Sequence, residues 1–290
     1  MKTRRGSEIG GSVKCFYHDD LDGICSANIV KMKYPEAQCE SINYGRDFPW
    51  KKVKSTDFVF MVDFGLQPFS DMERLNGMCN LIWIDHHKTA IESESESDIE
   101  IDGLRVDGQA GCELTWKYLF PNKSLPRHVK LLADFDVWRN EDKERWNNEI
   151  EPFQYAMRAL IGVILEPGSS YWKELEQSDK INQLIRTGKS TLKFLKKQYA
   201  EECERYSFEV EIEGLRAIVL NTSNSGSQNL ESVYDEKKHD LMVVYRWTGS
   251  EYTYSLYSTK EGVDCGAIAK KHSGGGHKGA AGCTSKTLIW

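Results

Sequence analysis

The sequence has no CxxC pair among its eight cysteines, no excess of positive charge and no long apolar run. The first absence weighs against a closed zinc-thiolate site. It points instead to reduced, buried thiols in a cytoplasmic protein. The second absence, a net charge of −6 with no basic stripe, weighs against a protein that coats long nucleic acid, which is usually basic. A nucleic-acid ligand should then be short or gripped by a local basic pocket. The third leaves no stretch near the roughly 18 apolar residues of a membrane helix, so no membrane partner is expected. The N-terminal MKTRRGSEIGG is basic with no apolar segment behind it. It reads as a frayed tail rather than a signal peptide. Proline is scarce, and Pro35, Pro49 and Pro68 fall between patterned runs, as punctuation.

What is present suffices for two cores: 290 residues, 40% of them apolar. Residues 13–17 predict a buried strand, and 23–34 a helix with Ile24, Ala27, Ile29 and Val30 at helical spacing. Residues 57–62 and 81–84 predict two further strands. Strand–helix alternation of this kind predicts an α/β fold with a doubly wound parallel sheet. The acidic, serine-rich residues 91–100 predict a solvated loop. Residues 109–119 and 127–138 predict helices, and 169–202 a long charged amphipathic stretch with a break near Thr187 and Gly188. From about Cys203 the pattern turns to alternation, predicting strands at 207–212, 215–220, 241–247 and 252–257. A helix at 263–271 and a last strand follow. The expected division is a catalytic domain at 12–186, a helical linker with a hinge at 187–205, and a smaller α/β domain at 206–290.

Three predicted strands end in acids. The first runs into His18-x-Asp20-x-Asp22, the second into Asp63, and the third into Asp85-His86-His87. In an open parallel sheet the carboxyl ends of the strands share the edge where ligands bind. A fourth acid, Asp134 or Asp136, ends the apolar run LLADFDVW. Taken alone, a DxD at a strand end is ordinarily a turn or a helix cap. Together, at least four carboxylates and two or three imidazoles are costly to bury without cations. Mixed Asp and His donors suit manganese better than structural zinc. Two such ions sharing one Asp could activate water and clamp a phosphoryl group.

HDDLDG at 18–23, Asp63, Asp85-His86-His87, Asp134 and the distal Gly274-Gly275-Gly276-His277 resemble the DHH/DHHA1 phosphoesterases. The short spacing of His18 before Asp20 is similar to the nano-RNase B branch. The resemblance implies one manganese on His18, Asp20 and Asp63, and another on Asp22, Asp63, His86 and Asp134, with Asp63 bridging. Asp134 fits the family position and Asp136 is the alternative. Asp85 joins the donors at the third strand end. His87 would orient Asp63 or touch the phosphate, so His87, Asp63 and His86 carry the catalytic expectation. Mg2+ or Co2+ are the expected substitutes.

The C-terminal Gly274, Gly275, Gly276, His277 and Lys278 are the expected substrate grip. Glycines let backbone approach a phosphate closely, and their N–H groups can form an anion nest. A flexible linker is the plain alternative. The resemblance implies a DHHA1 domain there and hydrolysis of short single-stranded oligonucleotides or dinucleotides. Relatives of this architecture can dimerise, so a homodimer is a candidate assembly. A cyclic or linear dinucleotide phosphodiesterase, a 3′-phosphoadenosine-type phosphatase and a nucleotide sensor with a vestigial site are the alternatives.

Overall fold

The computed structural model describes residues 11–290. The tail expected at the N-terminus lies, for residues 1–10, outside the described residues. The chain divides into two compact units, the first ending at Thr191 and the second running from Leu192 to Trp290.

The first unit begins β1 (Val13–His18), α1 (Leu21–Lys33), β2 (Gln38–Ile42), β3 (Phe58–Val62), α2 (Ser70–Met78), β4 (Asn80–Asp85), α3 (Lys88–Ser95) and β5 (Asp102–Arg105). The five strands form one sheet in the order β2-β1-β3-β4-β5, with every pair parallel. β3, FVFMV, is buried at every position, as expected of a central strand covered on both faces. Its alternate side chains feed two cores. Phe58, Phe60 and Val62 join Cys15, Ile82 and Ile84 on one face. Val59 and Met61 join Phe16, Leu81, Trp83 and the α2 residues Met72 and Leu75 on the other. The chain leaves β1 towards β2 and returns to β3 on its other side. The carboxyl ends of β1 and β3 therefore flank the switch point at which open α/β sheets bind ligands.

Helices α4 (Gly111–Leu119), α5 (Arg127–Asp136), α6 (Lys143–Arg145), α7 (Glu151–Arg158), α8 (Tyr171–Glu174) and α9 (Ser178–Tyr206) follow. A π-helical turn, Trp146–Ile150, joins α6 to α7. Two expectations are corrected here. α9 is continuous across Thr187 and Gly188, with no break. A Cβ on Gly188 would lie 1.8 Å from the Pro152 carbonyl oxygen, so this glycine marks a close helix crossing. The acidic segment at 91–100 is half helix, because α3 takes in its first five residues. Glu94 fixes that turn: Arg105 Nη2 donates to it at 2.7 Å, Arg105 Nε at 2.9 Å, and the Ile101 amide at 3.3 Å.

The second unit holds β6 (Ser207–Ile212), β7 (Leu215–Asn221), β8 (Leu241–Trp247), β9 (Tyr252–Tyr257), α10 (Cys265–Lys271), β10 (Gly275–Gly276) and β11 (Ala280–Ser285). Its sheet runs β10-β11-β9-β8-β7-β6 and is antiparallel except at β7–β8. Helix α10 covers one face, over Val219, Val243 and Leu256. Cys203 and Leu230 pack on the other, against Ile218, Leu220 and Val244. All eight cysteines are free thiols. No helix among the described residues is long and apolar enough to cross a membrane.

Candidate metal centre

His18 is the last residue of β1, and Asp20 is the N-cap of α1. The Gly23 amide donates to Asp20 Oδ1 at 2.9 Å, which leaves Oδ2 to meet His18 Nδ1 at 2.9 Å. Asp19 turns away and accepts from Asn43 Nδ2 at 2.6 Å. Asp63 directly follows β3 with φ 54°, a left-handed conformation uncommon outside glycine. Its amide donates to the Ile84 carbonyl at 2.8 Å, so the turn is pinned to β4. Asp63 is 1% exposed, and neither carboxylate oxygen accepts a hydrogen bond.

Those two oxygens face different partners. Oδ2 is 3.8 Å from His18 Nδ1, and Oδ1 is 3.1 Å from His86 Nε2. His86 Nε2 also lies 3.7 Å from Asp22 Oδ2 and 3.3 Å from Asp136 Oδ2. Two donor sets result, His18–Asp20–Asp63 and Asp22–His86–Asp136, each with its ligating atoms within 4.8 Å of one another. Asp63 stands between them.

One oxygen of Asp85 organises the two histidines that follow it, and the other, Oδ2, is buried with no hydrogen-bond partner. Its Oδ1 accepts from the His86 amide at 2.7 Å and the His87 amide at 3.2 Å, and meets His87 Nδ1 at 2.7 Å. Asp85 also forms a third set with Asp63 and His87, within the same 4.8 Å. Burial pushes the Asp85 carboxyl up, but the charge and hydrogen bond of His87, with the charge of His86, outweigh it and hold it below the ordinary range. Asp85 therefore stays a carboxylate and fixes the Nδ1–H tautomer of His87.

Of the two helical acids, the structure brings Asp136 and not Asp134 to the other donors. Asp134 is spent on cations: Arg139 Nη1 at 2.9 Å, Arg145 Nη2 at 2.7 Å and Lys130 Nζ at 3.6 Å. Asp134→Ala should cost about 2 kcal/mol of stability. That is below the ~3–5 of a fully buried pair, because the arginines reach solvent. It should leave metal affinity in place. Asp136→Ala should do the reverse, and thermal melts with metal titration would separate the two.

Nothing in the residue pattern marks the role of the α4 N-terminus. Ala110 is its N-cap and supplies no side-chain bond, so the first amides need another acceptor. Asp22 provides it, with Oδ2 accepting from Gly111 N at 2.6 Å and Oδ1 from Cys112 N at 2.8 Å.

The electrostatics describe a site short of positive charge. Burial, then Asp22, Asp20, Asp136 and Asp85, push Asp63 well up. Burial with Asp22 and Asp20 does the same to Asp136, against the pull of His87 and His18. Burial would lower His18, but its bond to Asp20 and the charges of Asp20, Asp19 and Asp136 raise it to about 9. Buried oxygens without partners, in a mixed oxygen and nitrogen set, fit divalent cations.

The C-terminal motif is ordered and is not a linker. Gly275 and Gly276 pair with Gly282 and Ala281 of β11. The His277 amide donates to Ala280 O at 2.7 Å, and the Cys265 amide to Lys278 O at 2.8 Å. A Cβ on Gly274 would lie 2.1 Å from Gly282 O, so close backbone packing demands that glycine. Lys278 is exposed at the hairpin tip.

Residues 12–135 match the DHH family, N-terminal domain. An uncharacterized protein, R106, of Acanthamoeba polyphaga mimivirus is 26% identical over 97% of this chain. The chain spans 61% of that relative's length. Among solved structures, the DHH domain of a member of a ribosomal-protein family is 12% identical. It aligns with 94% of this chain and 82% of its own at a TM-score of 0.56. A pGpG-specific phosphodiesterase, PggH of Vibrio cholerae, is 12% identical over 95% of this chain and 93% of its own, at a TM-score of 0.51. These likenesses show the fold.

Proposed function

Because residues 12–135 belong to the DHH family, we propose that the chain is a metal-dependent phosphoesterase that hydrolyses short oligonucleotides, with manganese as its working ion. The observation that carries this reading is Asp63, whose two buried, unbonded oxygens face two separate donor sets. His18, Asp20 and Asp63 would hold one ion, and Asp22, His86, Asp136 and Asp63 the other. Bound divalent ions acidify water and offset charge on a phosphoryl group. The chain's own groups do the rest. The α4 amides hold Asp22 in place. Asp85 holds the His87 ring in place through Nδ1. Lys278, exposed at the tip of the Gly274–Lys278 hairpin, offers a cation to a substrate phosphate. A linear dinucleotide is the short end of this substrate range, in keeping with the fold likeness to PggH.

Manganese binding should release protons, since burial and the neighbouring carboxylates push Asp63 and Asp136 up and the bond to Asp20 raises His18 to about 9 in the metal-free site. Affinity should therefore rise with pH. Calorimetry in buffers of different ionisation enthalpy would measure the release, and a binding heat independent of buffer would contradict it. Manganese at about 100 times its Kd should also add about 2.7 kcal/mol of stability.

The deciding experiment offers an end-labelled pentaribonucleotide and a cyclic dinucleotide, each with Mn2+ and with EDTA. Stepwise shortening of the RNA that EDTA stops is the expected result. Opening of the cyclic substrate alone would move the protein to the cyclic dinucleotide phosphodiesterases. Inertness towards both would overturn the reading.

A further inference from the structure

Helix α5 delivers Asp136 to the centre and then ends in a motif that favours glycine. The Arg139 amide donates to Asp134 O at 2.8 Å and the Trp138 amide to Phe135 O at 3.1 Å. This pair of bonds is a Schellman cap, whose left-handed residue is most often glycine. Here it is Trp138, with φ 56°. A bulky residue in that region is a genuine outlier, and such strain gathers at ligand sites.

Burial does not explain the tryptophan, which remains 41% exposed. It is braced from beneath. Its ring meets Trp146 at 4.7 Å, inclined by 61°, and Phe135 at 5.9 Å. Those two buried rings stack on each other at 5.3 Å. Arg139, the next residue, is tied to Asp134 and Glu113 and donates to Gly108 O, so the turn is fixed on both sides. A covering role needs only an aliphatic side chain in a relaxed backbone. A rigid indole, held partly in solvent two residues past a metal donor, suits a flat ligand beside a bound phosphate.

We propose that Trp138 is a nucleobase subsite, on which the base next to the scissile phosphodiester stacks. The proposal rests on the hydrolase reading for its substrate. Stacking works with any base because every base has a π-face, so this subsite selects nucleotides over other phosphodiesters without reading sequence.

The test measures binding of a pentaribonucleotide, and of the same oligomer with abasic terminal residues, with Ca2+ in place of Mn2+. The wild-type protein should prefer the base-bearing oligomer by about 10-fold or more. Trp138→Leu, which keeps an apolar cover, should collapse that gap, and Trp138→Phe, which keeps a π-face, should retain most of it. A gap that persists in Trp138→Leu, or none in the wild-type protein, overturns the subsite. Mn2+-dependent cleavage is followed in parallel. Its absence in the wild-type protein defeats the hydrolase reading, whereas intact cleavage with an unchanged gap in Trp138→Leu defeats only the subsite.

Discussion

Asp63→Asn is expected to abolish Mn2+-dependent hydrolysis while raising the thermal midpoint of the metal-free protein. Asn keeps the side chain's shape and tolerates the left-handed backbone at φ 54°, so the turn after β3 survives. What disappears is a carboxyl that the folded, metal-free site ionises only at a cost. Burial and four neighbouring aspartates push the Asp63 carboxyl up. In the unfolded chain it titrates near pH 3.9. Above about pH 4 the unfolded state therefore releases this proton more readily than the folded state, and stability falls as pH rises. Removing the group should restore about 0.5–2 kcal/mol, the usual reach of one stabilising substitution, and the gain should be larger at pH 7 than at pH 4. Activity moves the other way. Loss of a single oxyanion donor costs about 10²–10³-fold. Loss of the carboxylate whose two oxygens face both donor sets should cost at least about 10³-fold. Added Mn2+ should stabilise the wild-type protein and not the variant. Melts at two pH values with and without metal would decide it. A variant that melts lower than wild type in EDTA, or that still turns over, would contradict the argument.

Much of this site was legible because its carriers are the most apolar strands. VKCFYH, FVFMV and NLIWID are buried enough to be read as β1, β3 and β4, and the acids stand at their ends. The sheet's edges were not legible. β2, QCESI, and β5, DGLR, are polar and half exposed, so no periodicity marks them. The choice between Asp134 and Asp136 was open because both lie on one helix two residues apart. Lys130 offered a hint, since a lysine four residues before an acid on a helix is a usual ion-pair partner. Gly188 misled because a glycine in a helical pattern reads alike whether it bends the helix or admits a neighbour. Only the Pro152 carbonyl beside it separates those cases. The left-handed turn at Trp138 was not legible, because a residue's backbone conformation is invisible in its name.

The same limit of legibility applies at Gly111, where the second large effect is expected. A Cβ there would lie 2.7 Å from the Asp63 Cβ and 3.0 Å from both Asp22 Oδ2 and Asp63 Oδ1. Real Cβ contacts are not that short, and none of these neighbours can yield cheaply. Asp22 is held by the Gly111 and Cys112 amides, and Asp63 by its bond to Ile84. Gly111→Ala must therefore push helix α4 away from the strand ends or push the two acids apart. Overpacking of this kind costs about 1–3 kcal/mol. Either movement also separates Asp22 from Asp63, and with them the two donor sets that one carboxylate has to bridge. Metal affinity should fall at least about 10–100-fold, the scale seen when ligand-orienting partners are lost, and turnover should fall with it. Gly77→Ala is the control. A Cβ there meets nothing within 4 Å, and alanine is the better helix former by about 1 kcal/mol, so α2 should gain stability with Mn2+ binding unchanged. If Gly111→Ala bound Mn2+ as tightly as the wild-type protein, the α4 N-terminus would be a packing element only. The acids would then owe their placement to the strands alone.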